Sequence, residues 1–245
     1  MCVIGAIRIN GNPILFKNRD KLEPEEEYIE QTKNGHLIRS AHNHSIAAGL
    51  NKYGFAFVRA EVVNVEVIKL AYSGKVKEAV AITEREISPS TIIGLNFDQI
   101  KTVSDAVTFL KLCKEKLKAS NMILADKRDI VSVEINDSEI DITETKECIC
   151  KANHFHNLDF GPKNGSDYPS SYEREKQING LVGMVNTIEK LKEILATHSN
   201  INSDYNICRH GISSTISSFI IDVTGLVWYC NSSPCKGKFR KYVLS

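Results

Sequence analysis

Met1-Cys2-Val3-Ile4-Gly5-Ala6-Ile7-Arg8-Ile9, the turn Asn10-Gly11-Asn12-Pro13 and then Ile14-Leu15-Phe16-Lys17-Asn18-Arg19-Asp20 open the chain. Two short apolar runs around a turn cluster read as buried strands joined in a hairpin. If the hairpin closes near residues 10–13, residues 17–20 return beside residues 2–5. A cation and a carboxylate then flank Cys2.

Strand-like runs continue at 36–41, 45–50 and 55–63, the last two joined by Leu50-Asn51-Lys52-Tyr53-Gly54. Thr102-Val103-Ser104-Asp105 has the pattern of a helix start, with Val107, Leu110 and Cys113 following at helical spacing. Residues 74–85 are a weaker helix candidate. Strands return at 122–125, 130–135 and 148–150, and a polar loop rich in Gly, Pro, Asn and Asp covers 156–169. Ser170-Ser171-Tyr172-Glu173 and Asn186-Thr187-Ile188-Glu189 have capping-box spacing and open helices through about residues 182 and 197. A last hairpin is expected at 214–222 and 226–231, around Thr224-Gly225. Strands clustered at both ends, with helices in separate groups, make an α+β pattern rather than regular βαβ alternation. No linker interrupts it, so residues 1–245 read as a single domain.

Composition narrows the function. The 245 residues are 42% hydrophobic and 25% charged, with a net charge of +1, as in an ordinary globular protein. There is no basic block for nucleic acid, and no apolar run approaches the roughly 20 residues of a membrane span. A secretory leader would carry basic residues and then about 7–15 apolar ones; here a turn arrives at residue 10. Seven cysteines, an odd number, suggest free thiols. The expected location is cytoplasmic, without cofactor or resident metal. Homo-oligomerisation is compatible with this reading.

The chemistry centres on Cys2. A thiol is a good nucleophile only as thiolate, with a free pKa of about 8.5. If Met1 is removed, the α-amine of Cys2 becomes a built-in base with a pKa of about 7.7–8.0. Lys17 could favour the thiolate, and Asp20 could hold or orient the α-amine. Asn153 follows the strand at 148–150, where a side-chain amide can donate to a developing oxyanion.

Six segments in order then resemble a known family: Met1-Cys2; Lys17-Asn18-Arg19-Asp20; Gly49 to Gly54; Ala152-Asn153-His154-Phe155; Ser170-Ser171-Tyr172-Glu173-Arg174; and Ile207-Cys208-Arg209-His210 with Thr215-Ile216-Ser217-Ser218. The set looks like the penicillin acyltransferase-like branch of the Ntn hydrolases. The choloylglycine hydrolases, which cleave bile-salt and penicillin V amides, are relatives. The resemblance spans nearly the whole chain. It implies a four-layer αββα sandwich and acyl transfer through a thioester on Cys2, acting on a small-molecule acyl amide or thioester. It implies that Asp20 contacts the α-amino group, that Asn153 is an oxyanion-hole residue and that Arg209 matches a site arginine. Bile-salt relatives carry arginine where Lys17 stands, and lysine cannot form the same bidentate fork. Fungal members bear a long propeptide before the cysteine; with Met1 alone ahead of Cys2, internal autoproteolysis is not required.

Cys148, Cys150, Cys208 and His210, with His154 and His156, could form a zinc module, but their spacing differs from the usual two to four intervening residues. A glutamine amidotransferase also starts Met-Cys, yet no matching Asn-Gly-Glu segment follows. A non-catalytic binding module would use the pocket without Cys2. His36, His42, His44 and His198 read as surface residues, and Tyr53, Phe55 and Phe57 as core at strand period.

Overall fold

The computed structural model describes residues 2–78 and 87–244. The Asn10-Gly11 turn takes positive φ at both residues, 52° and 82°. Asn and Gly tolerate that conformation, and it matches the twist of the strands it joins. It links β1 (Cys2–Ile9) to β2 (Asn12–Lys21) in the register Cys2↔Arg19, Val3↔Asn18, Ile4↔Lys17 and Gly5↔Phe16. Gly5 is required there, because a Cβ would stand 2.1 Å from the Phe16 ring. The hairpin thus returns residues 17–19 to the Cys2 end.

The chain then builds a second sheet from β3 (Glu27–Thr32), β4 (Gly35–Ser40), β5 (Ile46–Asn51) and β6 (Ala56–Glu61). Helices α1 (Val65–Tyr72), α2 (Pro89–Leu95) and α3 (Val103–Leu112) follow. Strands β7 (Leu117–Ala125), β8 (Ile130–Asp137) and β9 (Glu139–Thr145) complete that sheet, and β10 (Cys148–Lys151) returns to the first. After α4 (Pro169–Val182) and α5 (Ile188–Leu195) come β11 (Ser214–Asp222), β12 (Leu226–Cys230) and β13 (Arg240–Val243). The strand orders are β10-β1-β2-β11-β12-β13 and β3-β4-β5-β6-β7-β8-β9, and the strand pairs are antiparallel.

Strand alternation divides the core. Ile4, Ala6 and Leu15 face Ala48, Val58 and Ile123 between the sheets. Val3, Ile7, Ile14 and Phe16 pack outward on Ile178, Leu191 and Leu195 of α4 and α5. Phe55, Phe57, Met122 and Val133 pack on Ile93, Ala106 and Leu110 of α2 and α3. Helix, sheet, sheet, helix is the expected four-layer αββα sandwich. Phe55 and Phe57 are core, whereas Tyr53 is exposed.

The helix starts show how local chemistry and packing compete. Thr102 and Asp105 form the expected capping box. Thr187, rather than Asn186, caps α5 by accepting from the Lys190 N–H. Ser170 does not cap α4. Pro169 begins that helix, and Ser171 Oγ is engaged by the Asn153 segment instead. The helix expected at 74–85 falls largely outside the described residues. His36 is buried, not exposed, with Nε2 3.3 Å from the Val243 carbonyl oxygen. Strands β3, β9 and β13 are edge or near-edge strands with little apolar alternation, so they escaped the sequence reading.

Candidate active site

Cys2 lies at one wall of a cleft of about 1150 Å³, lined also by Lys17, Arg19, Asp20, Arg59, Glu61, Tyr72 and Lys118. Its side chain is 6% exposed. Burial alone pushes the thiol pKa up, but the Lys17 charge and a hydrogen bond from the Asp20 backbone N–H oppose this, and the net position is below the ordinary value. Lys17 is itself buried, and burial brings it from 10.5 down to about 8, against the pull of the Cys2 charge. Lys17 Nζ donates to the Arg59 carbonyl at 2.5 Å, which fixes the ammonium under the thiol wall.

The Cys2 backbone nitrogen donates to Asn153 Oδ1 at 2.7 Å, and Asn153 Nδ2 donates to the Glu61 carbonyl at 2.6 Å. Asn153 is fully buried and held from both layers. From the outer helix side, Ser171 Oγ accepts the Asn153 N–H at 2.8 Å, and a Glu175 carboxylate oxygen accepts the Ala152 N–H at 2.8 Å. From β7, Asn121 Nδ2 donates to the carbonyls of Ala152 and His154, at 3.0 and 2.8 Å. Burial pushes His154 down to about 4, so its imidazole is neutral as it meets Ser171 Oγ at 2.8 Å.

Asp20 is fully buried. It accepts from Thr215 Oγ1 at 2.7 Å and pairs with Arg174 Nη2 at 2.5 Å. Arg174 Nε also donates to the Asn206 carbonyl at 2.9 Å. Ser171, Arg174 and Glu175 stand at i, i+3 and i+4, on one face of α4. That helix therefore supports both the Asn153 turn and the Asp20 carboxylate. Arg209 is joined to the same group, because its backbone N–H donates to Thr215 Oγ1 at 2.8 Å. Its guanidinium donates to Asp204 Oδ1 at 2.8 Å and to the Tyr72 hydroxyl at 3.1 Å.

The cleft wall is made of ion pairs. Arg19, directly opposite Cys2, pairs with Glu25 and Glu27. Glu61 pairs with Lys118 at 2.9 Å and with Arg59 at 3.6 Å; burial raises its pKa, but those two cations bring it below the ordinary carboxylate value. Arg59 also donates to Ser120 Oγ at 2.8 Å.

The family described as acyl-coenzyme A:6-aminopenicillanic acid acyl-transferase matches residues 8–234. The chain belongs to that family. It is an enzyme of the amide hydrolase and acyltransferase kind. No curated protein matches the chain. Among solved structures, the Caenorhabditis elegans N-acylethanolamine-hydrolyzing acid amidase ortholog superposes with a TM-score of 0.60 at 13% identity, covering 100% of both chains. Penicillin V acylase from Agrobacterium tumefaciens gives 0.52 at 15% identity, covering 94% of this chain and 82% of its own. The C2A mutant of the conjugated bile acid hydrolase from Clostridium perfringens gives 0.53 at 8% identity, covering 100% and 97%. These similarities carry the Ntn-hydrolase fold to this acyl-transferase family member.

The structure places Cys2, Lys17 and Asp20 on the cleft and brings Asn153 to the Cys2 nitrogen. Arg209 joins them through Thr215. Sequence reasoning assigned no role to Arg174, Glu175, Asn121, Arg59 or Glu61. Arg174 had a signal in the Ser-Ser-Tyr-Glu-Arg motif, whose i, i+3 spacing puts Ser171 and Arg174 on one helix face. Cys148 and Cys150 do not join Cys208 and His210. They pair with Ile7 and Gly5 along β1, and Cys150 is packed in the core beside Val3 and Ile7, so strand pairing rather than ligand geometry fixes them. Among the described residues, no helix is long and apolar enough to cross a membrane.

Proposed function

We propose that Cys2, freed by removal of Met1, is the N-terminal nucleophile of an amidohydrolase or acyltransferase acting on a linear amide or an acyl thioester. The observation that carries this reading is the hydrogen bond of 2.7 Å between the Cys2 nitrogen and Asn153 Oδ1, at a thiol that faces the cleft. An α-amine in that position is already oriented, and it needs no second side chain to take the thiol proton.

In this mechanism the Cys2 thiolate attacks the carbonyl carbon, and the α-amine carries the thiol proton to the departing amine. Asn153 Nδ2 has two hydrogens. One is on the Glu61 carbonyl, and the other is available to the oxyanion, with a backbone N–H as second donor. Asp20 orients the α-amine, and the Arg174 ion pair and the Thr215 hydroxyl hold Asp20 in place. Lys17 lowers the thiol pKa as a point charge, a role that needs no bidentate fork. Arg209 is fully buried behind the cleft and positions Tyr72, a cleft-lining residue, by donating to its hydroxyl at 3.1 Å. Water or an amine then resolves the acyl-enzyme. The ion-paired lining supports a polar small-molecule substrate, since a hydrocarbon chain would have to cover charged groups. The free thiols support a cytoplasmic setting.

The test is intact mass after mixing with a panel of acyl amides and thioesters. The expected result is protein lacking Met1 with one acyl adduct on Cys2, and no adduct in Cys2→Ala. Full turnover by protein that retains Met1 overturns the mechanism.

A further inference from the structure

Away from the cleft, the fold brings together a set of ligand atoms that the mechanism does not use. His198 follows α5, Cys208 and His210 flank Arg209 ahead of β11, and Cys235 lies in the turn after β12. One ligand atom from each of these four residues falls in a group within 4.8 Å of one another. Cys208 Sγ is 3.5 Å from His210 Nε2, and His210 Nε2 is 3.2 Å from Cys235 Sγ. With Zn–S of about 2.3 Å and Zn–N of about 2.0–2.1 Å, a tetrahedral ion spaces N and S ligands about 3.6 Å apart. The side chains therefore already stand near the separations a tetrahedral ion imposes.

We infer that His198, Cys208, His210 and Cys235 form a structural Zn²⁺ site that clamps the turn after β12 to the loop carrying Arg209. The ligand chemistry selects the ion. Two thiolates and two imidazoles are a tetrahedral S₂N₂ set, which suits zinc and excludes hard cations that need oxygen ligands. Binding displaces one proton from each thiol, so Zn²⁺ with two thiolates and two neutral imidazoles has no net charge. A neutral complex can sit beside buried Cys208 without an uncompensated charge. All four positions are filled by protein, which makes the site closed and structural rather than catalytic.

The surrounding backbone is built to hold it. The Cys208 N–H donates to the Thr197 carbonyl at 3.2 Å, which fixes the distance between Cys208 and the segment carrying His198. The backbone N–H of Cys235 points at the Cys208 sulfur. The turn around Cys235 is closed by the Lys236 and Gly237 N–H groups, both donating to the Ser233 carbonyl. The consequence reaches the cleft, because Arg209 lies between two of the ligands and its main chain pairs with Thr215 through both N–H and carbonyl. A metal there makes Arg209 part of a cross-linked segment rather than of a free loop. Zinc had been set aside in the sequence because the spacing was wrong for a local motif; ligands from three segments obey no such spacing.

The test uses the full chain, handled anaerobically and under reducing conditions, then reconstituted with Zn²⁺ or with Co²⁺ and cleared of excess ion. The expected result is one zinc per chain by elemental analysis. The cobalt form should show tetrahedral d–d absorption with thiolate-to-cobalt charge transfer. Cys235→Ser and His198→Ala alter exposed ligands, and each should weaken zinc binding by more than the roughly 10–100-fold seen when only a supporting contact is lost. Zinc should raise the melting temperature of the unaltered chain and not that of Cys235→Ser. A chain that holds no zinc after reconstitution, a cobalt spectrum without thiolate charge transfer, or variants that bind as tightly as the parent would overturn the site. So would a Cys208–Cys235 disulfide in the freshly purified, metal-free chain.

Discussion

Replacing Lys17 by Met tests the electrostatics of the cleft at their strongest point. Lys17 is 3% exposed, and burial brings its pKa from 10.5 to about 8. At 1.36 kcal/mol per unit, that drop corresponds to roughly 3 kcal/mol of folding free energy lost while the ammonium is charged. The sign follows from proton counting. Below about pH 8 both folded and unfolded chains bind the proton, and the fold carries the full cost. Between about 8 and 10.5 only the unfolded chain keeps it, so stability rises with pH through that window. Lys17→Met removes the buried charge but leaves the Arg59 carbonyl without its donor, at a cost of about 1–2 kcal/mol. The variant should therefore be more stable than its parent by about 1–2 kcal/mol at pH 7 and no more stable at pH 10, a swing of about 2–3 kcal/mol. The measurement is urea unfolding at both pH values, followed by the fluorescence of Trp228, the single tryptophan. Both proteins should carry Cys2→Ala, so that the thiol does not titrate. Removing the Cys2 charge takes away an influence that raises the Lys17 pKa, so the swing can only grow. A swing below about 1 kcal/mol would show that the cleft does not hold Lys17 low. With Cys2 intact, the same substitution should shift the acid limb of the activity profile to higher pH.

Other outcomes follow from the same geometry. An uncleavable N-terminal tag should abolish acyl-enzyme formation while leaving the circular dichroism spectrum unchanged, because it converts the α-amine held by Asn153 into an amide. Asn153→Ala should lower kcat by about 10²–10³ with a much smaller change in KM. It should also cost about 1–3 kcal/mol of stability, since the Glu61 carbonyl loses its donor, and denaturant melts read this directly. Arg174→Met leaves Asp20 buried without its ion pair and should destabilise the fold by about 3–5 kcal/mol, read as a lower urea midpoint. A limiting dose of iodoacetamide should label Cys2 before Cys113, as peptide mapping can report, because the Lys17 charge helps hold the Cys2 thiol below its ordinary pKa.

Features governed by local rules were legible along the chain. The Asn10-Gly11 turn fixed the register that sets Arg19 opposite Cys2, because a two-residue loop with positive φ allows one pairing. Strand period fixed which residues of β1 and β2 face between the sheets, and Thr102 and Asp105 fixed the start of α3. The ordered motifs grouped Cys2, Asp20 and Asn153, although Asn153 is 151 residues from Cys2. Packing in three dimensions settled what Asn153 does with its two polar atoms, that α4 buttresses both Asn153 and Asp20, and that Arg59, Glu61 and Lys118 line the wall. It alone brought His198 and Cys235 to Cys208 and His210, and separated Cys148 and Cys150 from them. The two kinds of constraint differ in the range over which they act. Turn chemistry, caps and strand period bind neighbours in the chain. An ion pair or a ligand set needs only proximity in space, and proximity between segments is fixed by how two sheets and their helices pack.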